Sequence, residues 1–353
     1  MLSTLPNLAD RNFILGFFLP ALLFVLAAAF LFSDLGPVKT LLDALTAQDL
    51  GKAAYLLLAV WLLAVLMLML NNPLYRFLEG YYVSGRLAGW LKDRQRARFA
   101  DDRAELDALI ARERTEGDAF PAADSRRIDE LTRSLLTSIP SRPDDVLPTA
   151  FGNAIRAFEV YPGDIYGADA IPMWLRLSSV MSKDFGDQVQ STRTEIDFFI
   201  NGCFFSVLFA ALAFSRATYL GMTVGAGEAA WLWPVLGVIA AYLFYCSAVL
   251  RAPAWGDMVK AAFDCYLPDL AKQLGYDLPQ TAAEREEFWR TLSQLFIYRR
   301  DADGNLPFEA DKWKKPPPKD GGPAQPPQAV VVAVEVRDER VERRIVTTAP
   351  PPS

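Results

Sequence analysis

The sequence predicts an all-α membrane protein with four transmembrane helices in two hairpins, a helical cytoplasmic domain between the hairpins and a disordered Pro-rich C-terminal tail. Residues 229–250 contain no Asp, Glu, Lys or Arg, and a helix of that length, at about 1.5 Å per residue, spans the roughly 30 Å of a bilayer's hydrocarbon core. Other long apolar runs occur along the chain. Its 353 residues are 52% hydrophobic and 22% charged, which favours a protein that lies partly in the membrane and partly in water.

The first apolar run covers residues 13–32 and is preceded by Arg11. A cleaved signal peptide is the alternative interpretation, but its apolar region would be only about 7–15 residues long, so we expect a retained transmembrane helix. Pro20 lies inside the run and has no N–H to donate to the carbonyl of Gly16, which predicts a kink or a close helix contact at that point.

The second apolar run covers residues 53–70 and ends at Asn71, Asn72 and Pro73. The link before it contains only Lys39 and Lys52 as basic residues. Many more basic residues follow the run: Arg76, Arg86, Lys92, Arg94, Arg96 and Arg98. Because basic residues concentrate on the cytoplasmic side of membrane proteins, we expect the link to be outside and the chain after residue 70 to be cytoplasmic.

Between residues 87 and 136 the composition becomes highly charged, and the apolar residues recur at helical spacing. Gly117 and Pro121 interrupt this pattern, so we predict two helices joined by a short turn, forming a cytoplasmic hairpin. Two short amphipathic helices follow, at about residues 149–159 and 168–181.

The third apolar run covers residues 198–214 and contains Asn201. Small residues recur in the third run and in the last run at the spacing of one helical turn. They are Gly202, Ser206, Ala210, Gly237 and Ala241. Small residues at this spacing let helix backbones approach closely in lipid, so we expect these two spans to pack as a hairpin.

Beyond the last span we expect a cytoplasmic helix that breaks near Pro268. Thr281 and Glu284 form a capping box, which predicts a helix reaching about Tyr298. The final segment, residues 307–353, holds ten of the 24 prolines and should be disordered. Within it, residues 329–337 alternate like a strand, which either stays disordered or pairs with the sheet edge of another chain. We expect disorder.

These elements divide the chain into five segments. They are residues 1–72 as the first transmembrane hairpin, 73–195 as the helical cytoplasmic domain, 196–252 as the second transmembrane hairpin, 253–306 as a cytoplasmic helical segment and 307–353 as the mostly disordered tail.

A distinctive pattern, LPTxxGNxxRAxE followed by YGxDA, lies between residues 147 and 170. It consists of Leu147, Pro148, Thr149, Gly152, Asn153, Arg156, Ala157, Glu159, Tyr166, Gly167, Asp169 and Ala170. This pattern resembles the signature of an uncharacterised family of bacterial multi-pass inner-membrane proteins, and LEGY at 78–81 and AAFD at 261–264 add weaker support. The resemblance implies a multi-pass topology and no particular activity.

Asn153, Arg156 and Glu159 recur at intervals of three residues and therefore share one face of a helix. Tyr166 and Asp169 follow in the next loop. This polar face either binds an anionic headgroup or a small metabolite, or joins the helix to that loop through charge-assisted hydrogen bonds. We favour the structural interpretation and keep these five residues as ligand-binding candidates.

The composition argues against an enzyme. The chain contains no histidine, which removes the usual general base and the usual neutral zinc ligand. Asp301, Asp303 and Asn305 suggest a calcium loop but lack its correctly placed glycine and its final Glu. We therefore predict no catalytic residue, no cofactor and no metal site.

The leading hypothesis is an oligomeric bacterial inner-membrane protein, with both termini cytoplasmic, that senses, anchors or regulates something at the cytoplasmic face. The alternative is an oligomeric pore or transporter with Asp197 and Asn201 as pore-lining candidates, although ion pathways usually place a charged residue well inside a span. Expected partners are membrane lipids, further copies of the chain and a protein bound by the C-terminal tail. A net charge of −6 argues against nucleic acid.

Overall fold

The structure, a computed structural model, describes residues 10–36, 38–39, 50–223, 228–298, 313, 336–337 and 340–341. The chain divides into two units, Met1–Trp313 and Lys314–Ser353. In the first unit the described residues form helices joined by short connections. The predicted all-α class is therefore confirmed for this part of the chain.

Four helices are long and apolar enough to cross a membrane. They are α1 (Arg11–Leu31), α2 (Leu50–Glu79), α7 (Lys183–Thr223) and α8 (Leu232–Gln273). Helices α7 and α8 contain 41 and 42 residues, so each is about 60 Å long at 1.5 Å per residue. That is twice the roughly 30 Å needed to cross the hydrocarbon core, and each helix therefore continues well beyond a single crossing.

Helix α8 continues through both of its internal prolines, Pro253 and Pro268, so the predicted break near Pro268 is wrong. A proline inside a helix removes one backbone hydrogen bond and costs about 3 kcal/mol. Here the residues around the two prolines are buried against other helices, among them Ala252, Phe263 and Leu267. Their packing offsets the loss and keeps the helix continuous through a sequence that would end an isolated one.

Five further α-helices lie in the described part of the first unit. They are α3 (Gly85–Glu116), α4 (Ala122–Ser138), α5 (Ala150–Tyr166), α6 (Ala170–Leu177) and α9 (Ala282–Tyr298). The predicted break between α3 and α4 is confirmed, because a 3₁₀ turn at Gly117–Ala119 separates them. The capping box of α9 is also present, since Glu284 N donates to Thr281 Oγ1 at 3.3 Å.

The predicted ends of α5 and α6 were wrong in opposite directions. Helix α5 extends beyond residue 159, through Pro162, and ends at Gly167, which adopts the left-handed conformation with φ of 75°. Residues other than glycine rarely adopt this φ. The N–H groups of Gly167 and Ala168 then close the helix on the carbonyls of Gly163 and Pro162. Helix α6 is shorter than expected and ends at Leu177.

A single large apolar core joins α5, α6 and α9 to α7 and α8. Its buried members include Phe151 of α5, Met173 of α6, Ile200 of α7, Phe263 of α8 and Trp289 of α9. Full burial of each side chain of this size contributes about 1.5–3 kcal/mol. A second, smaller core lies between α1, α2 and α7. Helices α5, α6 and α9 are therefore packed firmly against the long helices α7 and α8.

In the second unit, strand β1 (Val336–Arg337) pairs antiparallel with β2 (Arg340–Val341), with Val336 opposite Val341. The predicted strand at 329–337 is described only at its last two residues. The predicted disorder of the tail concerns residues that mostly lie outside the described ones, as do Asp301, Asp303 and Asn305.

Candidate functional site

The signature pattern positions α5 against the end of α2. Thr149 caps α5, since its hydroxyl oxygen accepts from the N–H of Gly152 at 2.9 Å and its O–H donates to the carbonyl of Leu78 at 2.7 Å. A Cβ atom on Gly152 would collide with the carbonyl oxygen of Glu79. Glycine at this position therefore allows the two helices to touch through their backbones.

Asn153 uses its side chain to hold the segment before α5. Its Nδ2 donates to the carbonyl of Leu147 at 3.1 Å, and its Oδ1 accepts from the N–H of Leu147 at 2.7 Å. The side chain is fully buried. Both polar groups of the amide are thus satisfied by the backbone of one residue, Leu147, which fixes the entry of the chain into α5.

Arg156 and Glu159 lie together on the same face of α5, as the spacing predicted. Arg156 Nη2 donates to Asp145 Oδ1 at 2.8 Å, while Nη1 lies 3.5 Å from Glu159 Oε2. Burial raises the pKa of Glu159, and Arg156 opposes this rise. The principal partner of Arg156 is therefore Asp145, in the 3₁₀ turn Pro143–Asp145, rather than the loop that follows α5.

Tyr166 and Asp169 also have partners within the fold. Tyr161 and Tyr166 both donate to Asp264 Oδ1 of α8, at 2.9 and 2.7 Å. Burial, together with the hydrogen bond to Asp264, raises the pKa of Tyr166. Asp169 caps α6 by accepting from the N–H of Ile171 at 3.1 Å. The five predicted ligand-binding residues are thus distributed among four groups of contacts, and their role in binding a ligand stays a prediction.

A cavity of about 490 Å³ lies beside this tyrosine cluster. Tyr166 and Asp264 line it together with Arg285, Glu286 and Trp289. Asp264 belongs to the AAFD stretch, but the sequence contained no signal for its two tyrosine partners, which lie 103 and 98 residues earlier in the chain.

Asp197, one of the two pore-lining candidates, is buried where α7 meets α2. Its Oδ1 atom accepts two hydrogen bonds, from Tyr75 Oη at 2.8 Å and from Asn71 Nδ2 at 3.1 Å. Only 2% of its surface is exposed. Asn71 and Tyr75 lie one helical turn apart on α2, so both reach the same carboxylate oxygen.

Asn201, the other pore-lining candidate, lies one turn after Asp197 and faces α1. Its Nδ2 donates to the carbonyl oxygen of Gly16 at 2.8 Å. Around this point α1 has a π-helical turn, Ile14–Phe18, directly before Pro20. The close helix contact predicted at Pro20 is therefore present. We call the group of Gly16, Asn71, Tyr75, Asp197 and Asn201 the polar junction.

The small residues of α7 and α8 lie where these helices pack together. A Cβ atom added to Gly237 would come within 2.8 Å of the Ala210 Cβ, and one added to Gly202 within 2.7 Å of the Phe244 ring. Ser206 donates to the carbonyl of Gly202 at 2.7 Å, and Ala241 is buried. Close approach thus depends on a glycine from each helix.

The described residues hold no group of three or more His, Cys, Asp or Glu side chains that could bind a metal ion. Comparison of the chain with protein-family models, curated proteins and solved structures yields no match. The functional argument therefore rests on the geometry of the domain and of the polar junction.

Proposed function

We propose that this protein is a bacterial inner-membrane component with four spans in two hairpins, both termini in the cytoplasm, and a non-enzymatic sensing, anchoring or regulatory role at the cytoplasmic face. The length and apolar character of α1, α2, α7 and α8 support the spans. The distribution of Lys and Arg supports the orientation. The signature residues support membership of the uncharacterised inner-membrane family that they resemble.

The large shared core carries this proposal. Helices α7 and α8 are about twice as long as a crossing requires. The half of each helix on the domain side packs against α5, α6 and α9. A flexible tether would suffice if the domain needed only to stay near the membrane. A domain fixed to its spans by a continuous apolar core is instead suited to presenting one surface in a constant orientation to a partner, or to responding when the spans move.

The expected partners follow from the surfaces that remain. Apolar side chains on α8, such as Val235, Val238 and Tyr242, are exposed in the single chain and suit lipid or a second copy of the protein. The groove between α3 and α4, with a volume of about 550 Å³ and apolar lining residues such as Phe99 and Leu136, suits a protein partner. The C-terminal tail is a second candidate for protein binding.

Site-specific photo-cross-linking in cells, combined with a flux assay, tests this role. A photoreactive amino acid at Leu136, which is 69% exposed, should form adducts with one defined cytoplasmic protein. The same amino acid at Val238, which is 61% exposed and faces lipid in our topology, should not. Purified protein in lipid vesicles should give no ion or dye flux. Flux that disappears in Asn201→Leu but persists in Val207→Leu would contradict the proposal and favour a pore.

The polar junction is the observation that favours the pore or transporter as a second candidate function. A carboxylate and two amides buried between apolar helices are unusual and commonly functional in membrane proteins. Their position at the ends of the apolar runs, next to the domain, is less favourable for conduction than a position in the middle of the spans.

A further inference from the structure

The polar junction contains buried polar atoms without hydrogen-bond partners. Asn71 Oδ1 and Asn201 Oδ1 have none among the described residues, and neither do Arg193 Nε and Trp255 Nε1 close by. Elsewhere in the described chain this is true only of Gln95 Oε1. Asn201 is fully buried and Asn71 is 8% exposed. Folded proteins leave few buried polar groups unsatisfied, so this concentration at one place needs an explanation.

The charge balance at Asp197 is also unusual. No described Lys or Arg forms an ion pair with this carboxylate within 4.0 Å. The nearest cationic residue along α7 is Arg193, one turn earlier, and its guanidinium lies 5.9 Å from the Tyr75 ring centre and 5.8 Å from that of Trp255. Buried charges are normally paired or bound to a cation. This carboxylate receives two hydrogen bonds from α2 and the more distant positive charge of Arg193.

The side chains involved lie on two helices that meet a third. Asn71 on α2 contacts Asp197 on α7 directly, and Asn201 follows Asp197 by one turn on the same face of α7. Gly16 brings the backbone of α1 against both residues of α7, since a Cβ added to it would lie 3.3 Å from the Asp197 Cβ and its carbonyl oxygen accepts from Asn201. Helices α2 and α7 thus place one carboxylate and two amide side chains beside the backbone of α1.

We propose that Asp197, Asn71 and Asn201 bind one sodium ion where α1, α2 and α7 meet. Carboxylate and amide oxygens are hard ligands that suit this ion. A divalent ion is disfavoured because this region offers a single carboxylate, whereas calcium sites recruit several carboxylates and carbonyls. The positive charge of Arg193 further disfavours an ion of charge two.

This site is independent of whether the protein conducts ions. Asn71 follows the second apolar run and Asp197 precedes the third, so both lie at the domain side of the spans. Arg193 and Trp255 lie one turn or more nearer the domain, and their unpartnered nitrogens suit water on the path to the site. The cation would join three helices at the level where the spans meet the domain.

Thermal unfolding of the purified full-length protein in detergent micelles tests the proposal. Melting temperatures are compared in sodium, potassium and choline chloride at equal ionic strength and constant pH. The variants are Asp197→Asn and a matched control, Thr194→Val, whose hydroxyl is already bonded to the Gln190 carbonyl one turn away. The charged or titratable residues near Asp197 are Arg193 on α7 and Tyr75 on α2, and neither is changed.

If sodium is the ligand, wild type and Thr194→Val should melt at progressively higher temperature as sodium increases, because a ligand that binds only the folded protein stabilises it by mass action. Asp197→Asn should show no such rise. Identical responses of all three proteins to sodium would show that the polar junction only holds the helices together, and would overturn the proposal.

A direct measurement covers the case in which Asp197→Asn does not accumulate. Wild-type protein should bind radioactive sodium saturably, with one site per chain. The absence of saturable sodium binding would overturn the proposal.

Discussion

The side-chain amide of Asn201 donates a 2.8 Å hydrogen bond to the carbonyl oxygen of Gly16. Pro20, four residues later, has no N–H to donate to this carbonyl. Asn201→Leu should therefore reduce the free energy of unfolding by about 1–3 kcal/mol, because it leaves a buried carbonyl unpaired. Pro20→Ala restores an N–H to α1, so the cost of Asn201→Leu should be smaller in the Pro20→Ala background. Equilibrium unfolding in detergent for the four proteins of this cycle measures the difference. Strictly additive effects would contradict the coupling.

Contact between α7 and α8 predicts a ranking of glycine substitutions. Gly237→Leu should be the most damaging, by about 1–3 kcal/mol, because its side chain would meet the backbone and Cβ of Ala210. Gly202→Leu should cost less, since the Phe244 ring can rotate. Val238→Leu and Val207→Leu are the controls, because these side chains are 61% and 55% exposed and should change little. The melting temperature in detergent checks this order, and equal values for Gly237→Leu and Val238→Leu would refute it.

Arg156 predicts a stability effect that separates a structural role from ligand binding. Its side chain is 30% exposed and bonded to Asp145, so solvent weakens the ion pair and Arg156→Ala should cost about 1–2 kcal/mol. Asp145→Ala should cost a similar amount, and the double variant less than the sum of the two.

The same proteins should be melted with anionic lipids and with nucleotides. We expect no ligand-dependent change that distinguishes wild type from Arg156→Ala. A rise in melting temperature that occurs only with wild type would identify a binding site on this face of α5.

Glu159 predicts a dependence of stability on pH. Burial raises its pKa above the ordinary value of 4.5, so the folded protein holds this proton more tightly than the unfolded chain. Stability from this group should fall as pH rises from 4.5 through the raised value, and then stay constant. Glu159→Gln has no titrating group at this position, so its stability relative to wild type should increase as pH rises through this range.

Glu105 supplies the control for this measurement. Its hydrogen bond with Arg127 lowers its pKa, so the stability that Glu105 contributes is lost as pH falls. The stability of Glu105→Gln relative to wild type should therefore increase as pH falls, whereas that of Glu159→Gln should increase as pH rises. Unfolding free energies measured from acidic to neutral pH test both signs. Parallel profiles for wild type and Glu159→Gln would contradict the first.

The topology predicts where a reporter works. An enzyme that is active only in the cytoplasm should function when fused after Leu91 or Tyr298 and fail after Pro37 or Gly225, because basic residues concentrate on the domain side of the spans. Activity in cells, corrected for the amount of each fusion protein, is the measurement. A working fusion after Pro37 would overturn the orientation.

The sequence predicted the local features well. Apolar runs, the turn at Gly117 and the capping box of Thr281 all depend on neighbouring residues, and all are present. It failed at Pro268, where tertiary packing overrides a local helix breaker. It also could not pair Asp197 with Asn71 and Tyr75, which are 126 and 122 residues away. Such contacts depend on how helices assemble, which a single sequence does not reveal.

The unbroken course of α8 has a mechanical consequence. A continuous helix of 42 residues is about 63 Å long, so a tilt of about 10° around one end carries the other end roughly 11 Å sideways. Transmembrane helices tilt when the bilayer becomes thinner. Because the domain side of α8 carries Asp264 and much of the domain's packing surface, a change in the angle of α8 should move the domain with it.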